Sequence, residues 1–279
     1  MERKSDATQV ELQVKILRDQ PVLHAATILL SRPRRGNALS RLMSQQLQDA
    51  LNELITDATV RVIVLTGSGK YFCTGMDLGV RNQEELRAEV ESGRMARDGL
   101  ALFDTLMHCE KPIVAAANGS AFGGGWGLLF TCDFRLAVRS ASFAFSEVRR
   151  GIVPALISSF IVPQLGAFHA GRLMLSGERI SAEEALRLGA LSRVLEDQAK
   201  LRSATAELCR QLMGCAPKAM GEIKRLVHSI AASPHEQTHA RQLASEVFGR
   251  TVQGEEARYG VMCFLQKQPP DWSTLSAKL

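Results

Sequence analysis

The chain has 279 residues, of which 46% are hydrophobic and 23% are charged, and its formal net charge is +5. This length fits one large domain, or one domain with a helical appendage, and the apolar fraction supports a packed core rather than a disordered chain. The basic residues are scattered and only 5% of the residues are aromatic, which argues against a nucleic-acid-binding surface. A mildly basic surface does suit a polyanionic small molecule.

The six cysteines form no CxxC pair and have no histidine cluster beside them, which argues against a zinc site and favours reduced thiols. His235 and His239 are spaced to share one helix face, but no third ligand accompanies them, so surface histidines are expected there instead of a metal. The chain has no Gly-x-Ser-x-Gly motif, which argues against a serine hydrolase.

In the first half of the chain, strand patterns alternate with helix patterns. Strands are predicted over residues 10–17 and 22–30, and buried strands over 60–66, 113–117 and 133–138. Ser40 caps a predicted helix with an apolar face of Leu42, Met43, Leu47, Leu51, Leu54 and Ile55. Further helices are predicted over residues 82–109 and 123–130. This order predicts an α/β fold in which helices cover the sheets.

The second half, beyond residue 154, has an almost wholly helical pattern. Ser181 to Glu184 resembles a capping box that opens a helix over residues 182–188, and Gly189 ends it. Three or four more helices are predicted between residues 197 and 268, and a helical tail of this kind often packs on a neighbouring subunit. The most apolar region, residues 112–130, is interrupted by Asn118, Ser120 and five glycines, so no membrane span is predicted.

Two loops, each directly after a buried strand, are the candidates for chemistry. The first covers residues 70–78 and the second covers residues 118–127, which include the run Gly123-Gly124-Gly125. Ligands bind at the carboxyl ends of strands in open α/β sheets, and a helix that follows directly presents its amide N–H groups there. The glycine run equally fits tight packing between helix and strand. It matches neither a P-loop nor a dinucleotide fingerprint.

At this point the chain resembles the crotonase (enoyl-CoA hydratase/isomerase) superfamily. The resemblance is carried by ordered pieces that together cover about residues 20–195. They are Arg32-Pro33 with Asn37-Ala38-Leu39, the loop from Phe72 to Leu78, Ala121 to Gly125, Cys132 to Arg135, Phe145-Ser146-Glu147, Gly151 to Pro154, and Leu175 to Ala182. It implies a spiral core of stacked strand–strand–helix turns over residues 1–196. Residues 197–279 would be a helical region that closes the site and assembles trimers or hexamers.

The resemblance also implies roles for residues. The backbone N–H groups of Met76 and Gly124 would form an oxyanion hole for a thioester oxygen, and Glu147 would be the acid/base. The residues expected to bind the acyl-CoA substrate are Arg34, Arg35, Asn37, Ala38, Thr74, Gly75, Asp77, Leu78, Gly123, Gly125, Phe264 and Lys267, of which the last two would reach a neighbour's CoA. For Asp77, a structural role that caps a helix or stabilises the loop is favoured over a catalytic role. The candidate walls of the acyl pocket are Trp126, Leu86, Met95, Phe143 and Leu156. No cofactor other than the substrate's own CoA is expected.

The sequence departs from the pattern of related hydratases at one position. Those enzymes commonly use two glutamates, and the position of the first is occupied here by Gly127, whereas the second is present as Glu147. The apolar residues around Glu147 are expected to raise its pKa by desolvation, which suits proton transfer near neutral pH. Some hydratases of branched unsaturated acyl-CoAs resemble this chain in having glycine there, together with a run like Glu147 to Ala155.

The resemblance therefore implies an enoyl-CoA hydratase. The alternatives are a Δ3-Δ2-enoyl-CoA isomerase, another acyl-CoA reaction of this fold in secondary metabolism, and a non-catalytic acyl-CoA-binding subunit. The terminal residues Ala277, Lys278 and Leu279 resemble the Ser-Lys-Leu peroxisomal address, which predicts recognition by an import receptor and location in peroxisomes. The alternative is a cytoplasmic or mitochondrial location.

Overall fold

The computed structural model describes residues 12–77, 91–232 and 236–273. The strands of its larger sheet are β1 (Val14–Arg18), β2 (Ala25–Leu30), β3 (Val62–Gly67), β5 (Ile113–Ala117), β7 (Phe134–Val138) and β10 (Arg193–Leu195). They lie in the order β1-β2-β3-β5-β7-β10. β1 pairs antiparallel with β2, and the other neighbours pair in parallel. This strand order carries the chain steadily from one side of the sheet to the other.

A smaller sheet consists of β4 (Tyr71–Cys73), β6 (Ser120–Phe122), β8 (Ser142–Ala144) and β9 (Ile180–Ser181), in the order β4-β6-β8-β9. β4, β6 and β8 are parallel to one another and directly follow β3, β5 and β7 along the chain. Each turn of the chain thus adds one strand to each sheet before a helix returns it. This repetition gives the stacked strand–strand–helix spiral that the sequence predicts.

Nine helices are described. They are α1 (Arg41–Thr56), α2 (Arg94–His108), α3 (Gly124–Phe130), α4 (Ala155–Ser176), α5 (Ala182–Arg187), α6 (Gln198–Met213), α7 (Pro217–Ala232), α8 (Gln237–Val252) and α9 (Glu255–Leu265). Among the described residues, none of these helices is both long enough and apolar enough to cross a lipid bilayer.

The core forms where the predicted apolar faces meet. In α1, the side chains of Met43, Leu47, Leu51 and Leu54 are fully buried, and the Ser40 hydroxyl caps the helix by accepting from the Met43 N–H at 3.1 Å. β5 is buried along its whole length, as expected for a parallel strand covered on both faces. The helix at 182–188 is confirmed as α5, where Ser181 accepts from the Glu184 N–H. The helical second half is confirmed by α6 to α9.

Several boundaries differ from the predictions. The first strand begins at Val14 rather than residue 10, and the second begins at Ala25 because residues 19–24 form a turn. The single helix expected over residues 82–109 is interrupted, because residues 92 and 93 form a turn and α2 begins at Arg94; residues 78–90 lie outside the described part of the chain. The sequence analysis did not predict β4, β6, β8 and β9, whose two or three residues are too few to show an alternating pattern.

Candidate active site

Three segments expected to carry chemistry follow neighbouring strands of the smaller sheet. Residues 74–77 follow β4, Gly123 and Gly124 follow β6, and Glu147 follows β8. Because these strands are parallel neighbours, their carboxyl ends meet at one edge, and the three segments are brought together there. A cavity of about 1150 Å³ opens at this edge. The site is therefore assembled by the sheet from three segments that are well separated in the chain, from Met76 to Glu147.

The N–H of Met76 can face the cavity because the backbone groups on either side of it bond to Leu39. The Leu39 N–H donates to the Gly75 carbonyl at 2.8 Å, and the Asp77 N–H donates to the Leu39 carbonyl at 3.0 Å. A parallel bridge of this kind uses the groups on either side of Met76, so the N–H of Met76 itself points away from Leu39. Met76 lines the cavity.

The Gly124 amide lies next to that of Met76. Gly124 is the first residue of α3, and the N–H groups of a helix's first turn have no partner within the helix. A Cβ built on Gly75 would lie 3.1 Å from the Gly124 nitrogen, and one built on Gly124 would lie 3.9 Å from the Met76 nitrogen. Two adjacent amides at the positive end of a helix are suited to hold one developing oxyanion.

Glu147 faces the same point from the third segment. It belongs to a short 3₁₀ turn, Ser146–Arg150, and a Cβ added to Gly123 would lie only 2.6 Å from its Oε1 atom. Gly123 also has a φ of 51°, which side chains rarely allow. Glycine is thus required at position 123 both by the backbone conformation and by the approach of the carboxyl group.

The environment of Glu147 favours its protonated form. Its Oε2 atom is buried and has no hydrogen-bond partner in the described part of the chain. Burial raises the pKa of the carboxyl group, and a hydrogen bond from its own backbone and the charge of Arg150 oppose this only in part. A carboxyl group with a raised pKa can both accept and return a proton near neutral pH.

This raised pKa predicts a stability cost that depends on pH. The folded protein holds the Glu147 proton more tightly than the unfolded chain, whose ordinary value is 4.5. The stability linked to this group is therefore complete below that value and is lost as the pH rises through the folded-state pKa. We expect Glu147→Gln to gain in free energy of unfolding relative to the wild type over this window. Urea unfolding of both proteins between about pH 4 and about pH 8 measures the difference. A difference that does not change with pH would contradict the raised pKa.

Gly127 is buried behind one wall of the cavity. A Cβ at this position would lie 2.5 Å from Cγ2 of Ile157 and 3.5 Å from the Phe103 ring. Ile157 and Phe103 themselves line the cavity. The place of a first glutamate in the two-glutamate pattern is thus taken here by an apolar wall.

Five of the residues expected to bind CoA line the cavity: Arg34, Arg35, Ala38, Thr74 and Asp77. Asp77 forms ion pairs with Arg32 and Arg35, and its side chain is only 14% exposed. Asp77 therefore braces this loop, as the sequence analysis favoured. Gly75 and Gly123 line the cavity as well, whereas Leu78 lies outside the described residues.

Asn37, another residue expected to bind CoA, lies behind the cavity. Its side chain is fully buried and does not line the cavity. Its Oδ1 atom accepts from the Arg32 N–H at 2.9 Å, and its Nδ2 atom donates to the carbonyls of Ser68 at 2.9 Å and Tyr71 at 2.8 Å. The side chain thus joins the turn at residues 32–37 to the loop that leads into β4, so its effect on the site is indirect.

We expect Asn37→Ala to lower the free energy of unfolding by about 2–4 kcal/mol, because it leaves several buried backbone groups unpaired. Chemical denaturation measures this loss. Asn52→Ala is the control, since Asn52 is exposed and its side chain bonds only to Gln48 in the described part of the chain, and it should change stability by no more than about 0.5 kcal/mol. Unchanged stability with weakened CoA binding in Asn37→Ala would support the CoA contact instead.

Other predictions have mixed outcomes. Gly125 does not line the cavity, and a Cβ there would lie 2.1 Å from the Cys73 carbonyl oxygen, so this glycine serves close packing. Met95 and Leu156 line the cavity as predicted. Trp126 and Phe143 do not, because both are fully buried in the core, where Trp126 stacks on Phe145 with ring centroids 4.3 Å apart. Leu86 lies outside the described residues.

The sequence analysis missed several cavity residues. Asp98, Gly99 and Leu102 line the cavity on the same face of α2 as Met95, and the helical spacing of three and four from Met95 was the available signal. Ser146 and Arg150 were also missed, although they flank Glu147 in the chain.

Phe264 and Lys267, near the end of α9, do not line this cavity, and the Phe264 side chain is 79% exposed. Their predicted contact was with a neighbour's CoA, and it stays a prediction.

In residues 12–77, 91–232 and 236–273, no three acidic, histidine or cysteine side chains are grouped in a way that could hold a metal ion.

Comparison with known proteins identifies close relatives. The sequence model of the family described as enoyl-CoA hydratase/isomerase matches residues 24–275. An enoyl-CoA hydratase of Alternaria alternata is 40% identical over 240 residues, which cover 85% of this chain and 77% of that protein. A carnitinyl-CoA dehydratase of Salmonella enteritidis is 32% identical over 262 residues, covering 92% and 97%. The crystal structure of an enoyl-CoA hydratase from Bacillus anthracis aligns with a TM-score of 0.84 and 26% identity, covering 94% and 99%.

Proposed function

We propose that this chain, which belongs to the enoyl-CoA hydratase/isomerase family, catalyses hydration and dehydration of an unsaturated acyl-CoA with Glu147 as its single carboxylate acid/base. The comparisons confirm three predictions from the sequence: the family, the fold and the assignment as an enzyme. The observation that carries the proposal is the convergence of the Glu147 carboxyl group with the Met76 and Gly124 amides at one point of the cavity. The hydratase and dehydratase names of the relatives support the choice of reaction.

In the proposed reaction, the thioester oxygen binds between the Met76 and Gly124 amides. Glu147 takes a proton from water as the water oxygen bonds to C3, and the enolate that forms is stabilised by the two amides. Glu147 then gives that proton to C2, which completes the addition of water. The raised pKa of Glu147 suits both halves of this proton transfer, and the reverse sequence is dehydration.

A second candidate is Δ3-Δ2-enoyl-CoA isomerisation, and one observation favours it. The wall formed by Ile157 and Phe103 has no group that could hold a water molecule, whereas isomerisation needs none. Glu147 would remove a proton from C2 and return it to C4 while the same amides hold the enolate. The non-catalytic subunit considered from the sequence has no comparable support.

Parallel assays distinguish the two reactions. One offers a 2-enoyl-CoA and follows the loss of the conjugated thioester absorbance, and the other offers a 3-enoyl-CoA and follows its gain. Loss in the first assay supports hydration, and gain in the second alone supports isomerisation. If neither signal changes over a series of chain lengths, both reactions are wrong for this site.

Two further expectations belong to the proposal. Assembly into a homo-trimer or hexamer is supported by apolar side chains left exposed on α8 and α9, among them Phe248, Phe264 and Leu265, which are 68%, 79% and 74% exposed. Delivery to peroxisomes rests on Ala277, Lys278 and Leu279, which lie outside the described residues. It stays a prediction from the sequence, as does the absence of any cofactor besides the substrate's own CoA.

A further inference from the structure

Two polar side chains on the turn that carries Glu147 have no part in the proposed reaction. Ser146 and Arg150 both line the cavity. Nη1 of Arg150 donates to the Ser146 carbonyl at 3.1 Å and to the Ser146 hydroxyl oxygen at 3.0 Å. These two bonds hold the guanidinium group beside Ser146. In the described part of the chain it forms no ion pair with a carboxylate, in contrast to Arg35, which pairs with Asp77.

The position of Arg150 assigns it to the acyl group rather than to the nucleotide. Arg150 lies on the same short turn as Glu147, Ser146–Arg150, and lines the same cavity. Arg34 and Arg35 belong instead to the turn that precedes Asn37, and Arg35 is already paired with Asp77.

A plain alkyl chain offers no partner to these groups. Covering a guanidinium with apolar atoms costs free energy, whereas a carboxylate makes short charge-assisted bonds with it, often two in parallel. The Ser146 oxygen accepts from Arg150, which leaves its own hydroxyl proton for a second bond to the same ligand. Ile157 and Phe103 supply apolar surface for the carbon atoms that precede such a carboxylate.

We propose that Ser146 and Arg150 bind a carboxylate on the acyl group, so that the substrates are CoA monothioesters of unsaturated dicarboxylic acids. This inference rests on the proposed function, because it requires the acyl group to lie beside Glu147. Asp98 also lines the cavity and would repel a carboxylate bound beside it.

Binding of saturated thioesters tests this without any chemistry. Calorimetry would compare succinyl-, glutaryl- and adipoyl-CoA with butanoyl-, pentanoyl- and hexanoyl-CoA. We expect the wild type to bind at least one dicarboxylic thioester about tenfold or more tightly than its uncharged counterpart. Arg150→Leu should lose this preference while keeping its affinity for the uncharged series, and Ser146→Ala should lose part of it.

Arg187→Leu is the matched control, since Arg187 is exposed and does not line the cavity. It should keep the preference, and an equal loss in this variant would mean that only net charge matters and would overturn the assignment. Equal weakening of both series and of free CoA by Arg150→Leu would place Arg150 at the CoA phosphates instead. The absence of any preference in the wild type also refutes the inference. A preserved binding preference in a protein inactive in both enoyl-CoA assays would refute the proposed reaction alone.

Discussion

Glu147→Gln is expected to lower kcat by about 10²–10⁴-fold, the range typical for the loss of a general acid/base. Glutamine has nearly the shape of glutamate, so it fits the space beside Gly123 that the carboxyl group occupies. It cannot accept and return the proton that must move between water and C2. Because the thioester oxygen is held by backbone amides, affinity for a saturated acyl-CoA should stay within a few-fold of the wild type. Steady-state kinetics and calorimetry measure the two effects separately.

Asp98→Asn is the control for this experiment, since Asp98 is another carboxylate that lines the cavity, from α2. Asp98 is exposed, so its replacement should change kcat by a few-fold at most. If Glu147→Gln kept its activity and Asp98→Asn lost it, the acid/base would be Asp98. Loss of acyl-CoA binding in Glu147→Gln would instead mean that Glu147 organises the cavity.

Much of the fold could be predicted from local patterns. The helical spacing of apolar residues predicts α1, and a continuous run of apolar residues predicts β5. Both patterns are long enough to recognise in the sequence. The strands of the smaller sheet have only two or three residues, so their existence depends on pairing with strands distant in sequence. That pairing brings the three segments of the site together, and no local pattern contains it.

Site residues could be predicted where the backbone N–H group is the functional group. They could be predicted less well where the function depends on the direction in which a side chain points. The glycine run and its position after a strand marked this loop, and the resemblance to the crotonase superfamily then implied the role of the Gly124 amide. Asn37 is only two residues from Arg35, which lines the cavity. The Asn37 side chain nevertheless points into the protein, where it donates hydrogen bonds to the carbonyls of Ser68 and Tyr71. Trp126 likewise points into the core from a helix whose first residue lines the cavity. These directions are set by tertiary packing, which periodicity alone does not determine.

Gly124→Pro is expected to lower kcat by about 10²–10³-fold, equivalent to about 3 kcal/mol of transition-state stabilisation, because it deletes one of the two proposed oxyanion donors. Gly124 is the first residue of α3, and proline is well tolerated at the first position of a helix, whose N–H has no helical partner. The substitution therefore removes a hydrogen-bond donor without breaking a helical bond. Thermal unfolding and circular dichroism would check that the variant is folded, and kinetics would measure the loss.

Gly124→Ala separates the donor from the added bulk. It keeps the N–H, and its methyl group would lie no closer than 3.8 Å to the neighbouring atoms, the nearest being Cδ1 of Leu39. The factor by which Gly124→Pro is slower than Gly124→Ala thus reports the replacement of the N–H by a ring carbon, with the effect of a Cβ removed. Because the donor acts most strongly on the enolate, this factor should appear mainly in kcat and only weakly in the affinity for a saturated acyl-CoA. If a folded Gly124→Pro variant is as active as Gly124→Ala, the Gly124 amide does not hold the thioester oxygen.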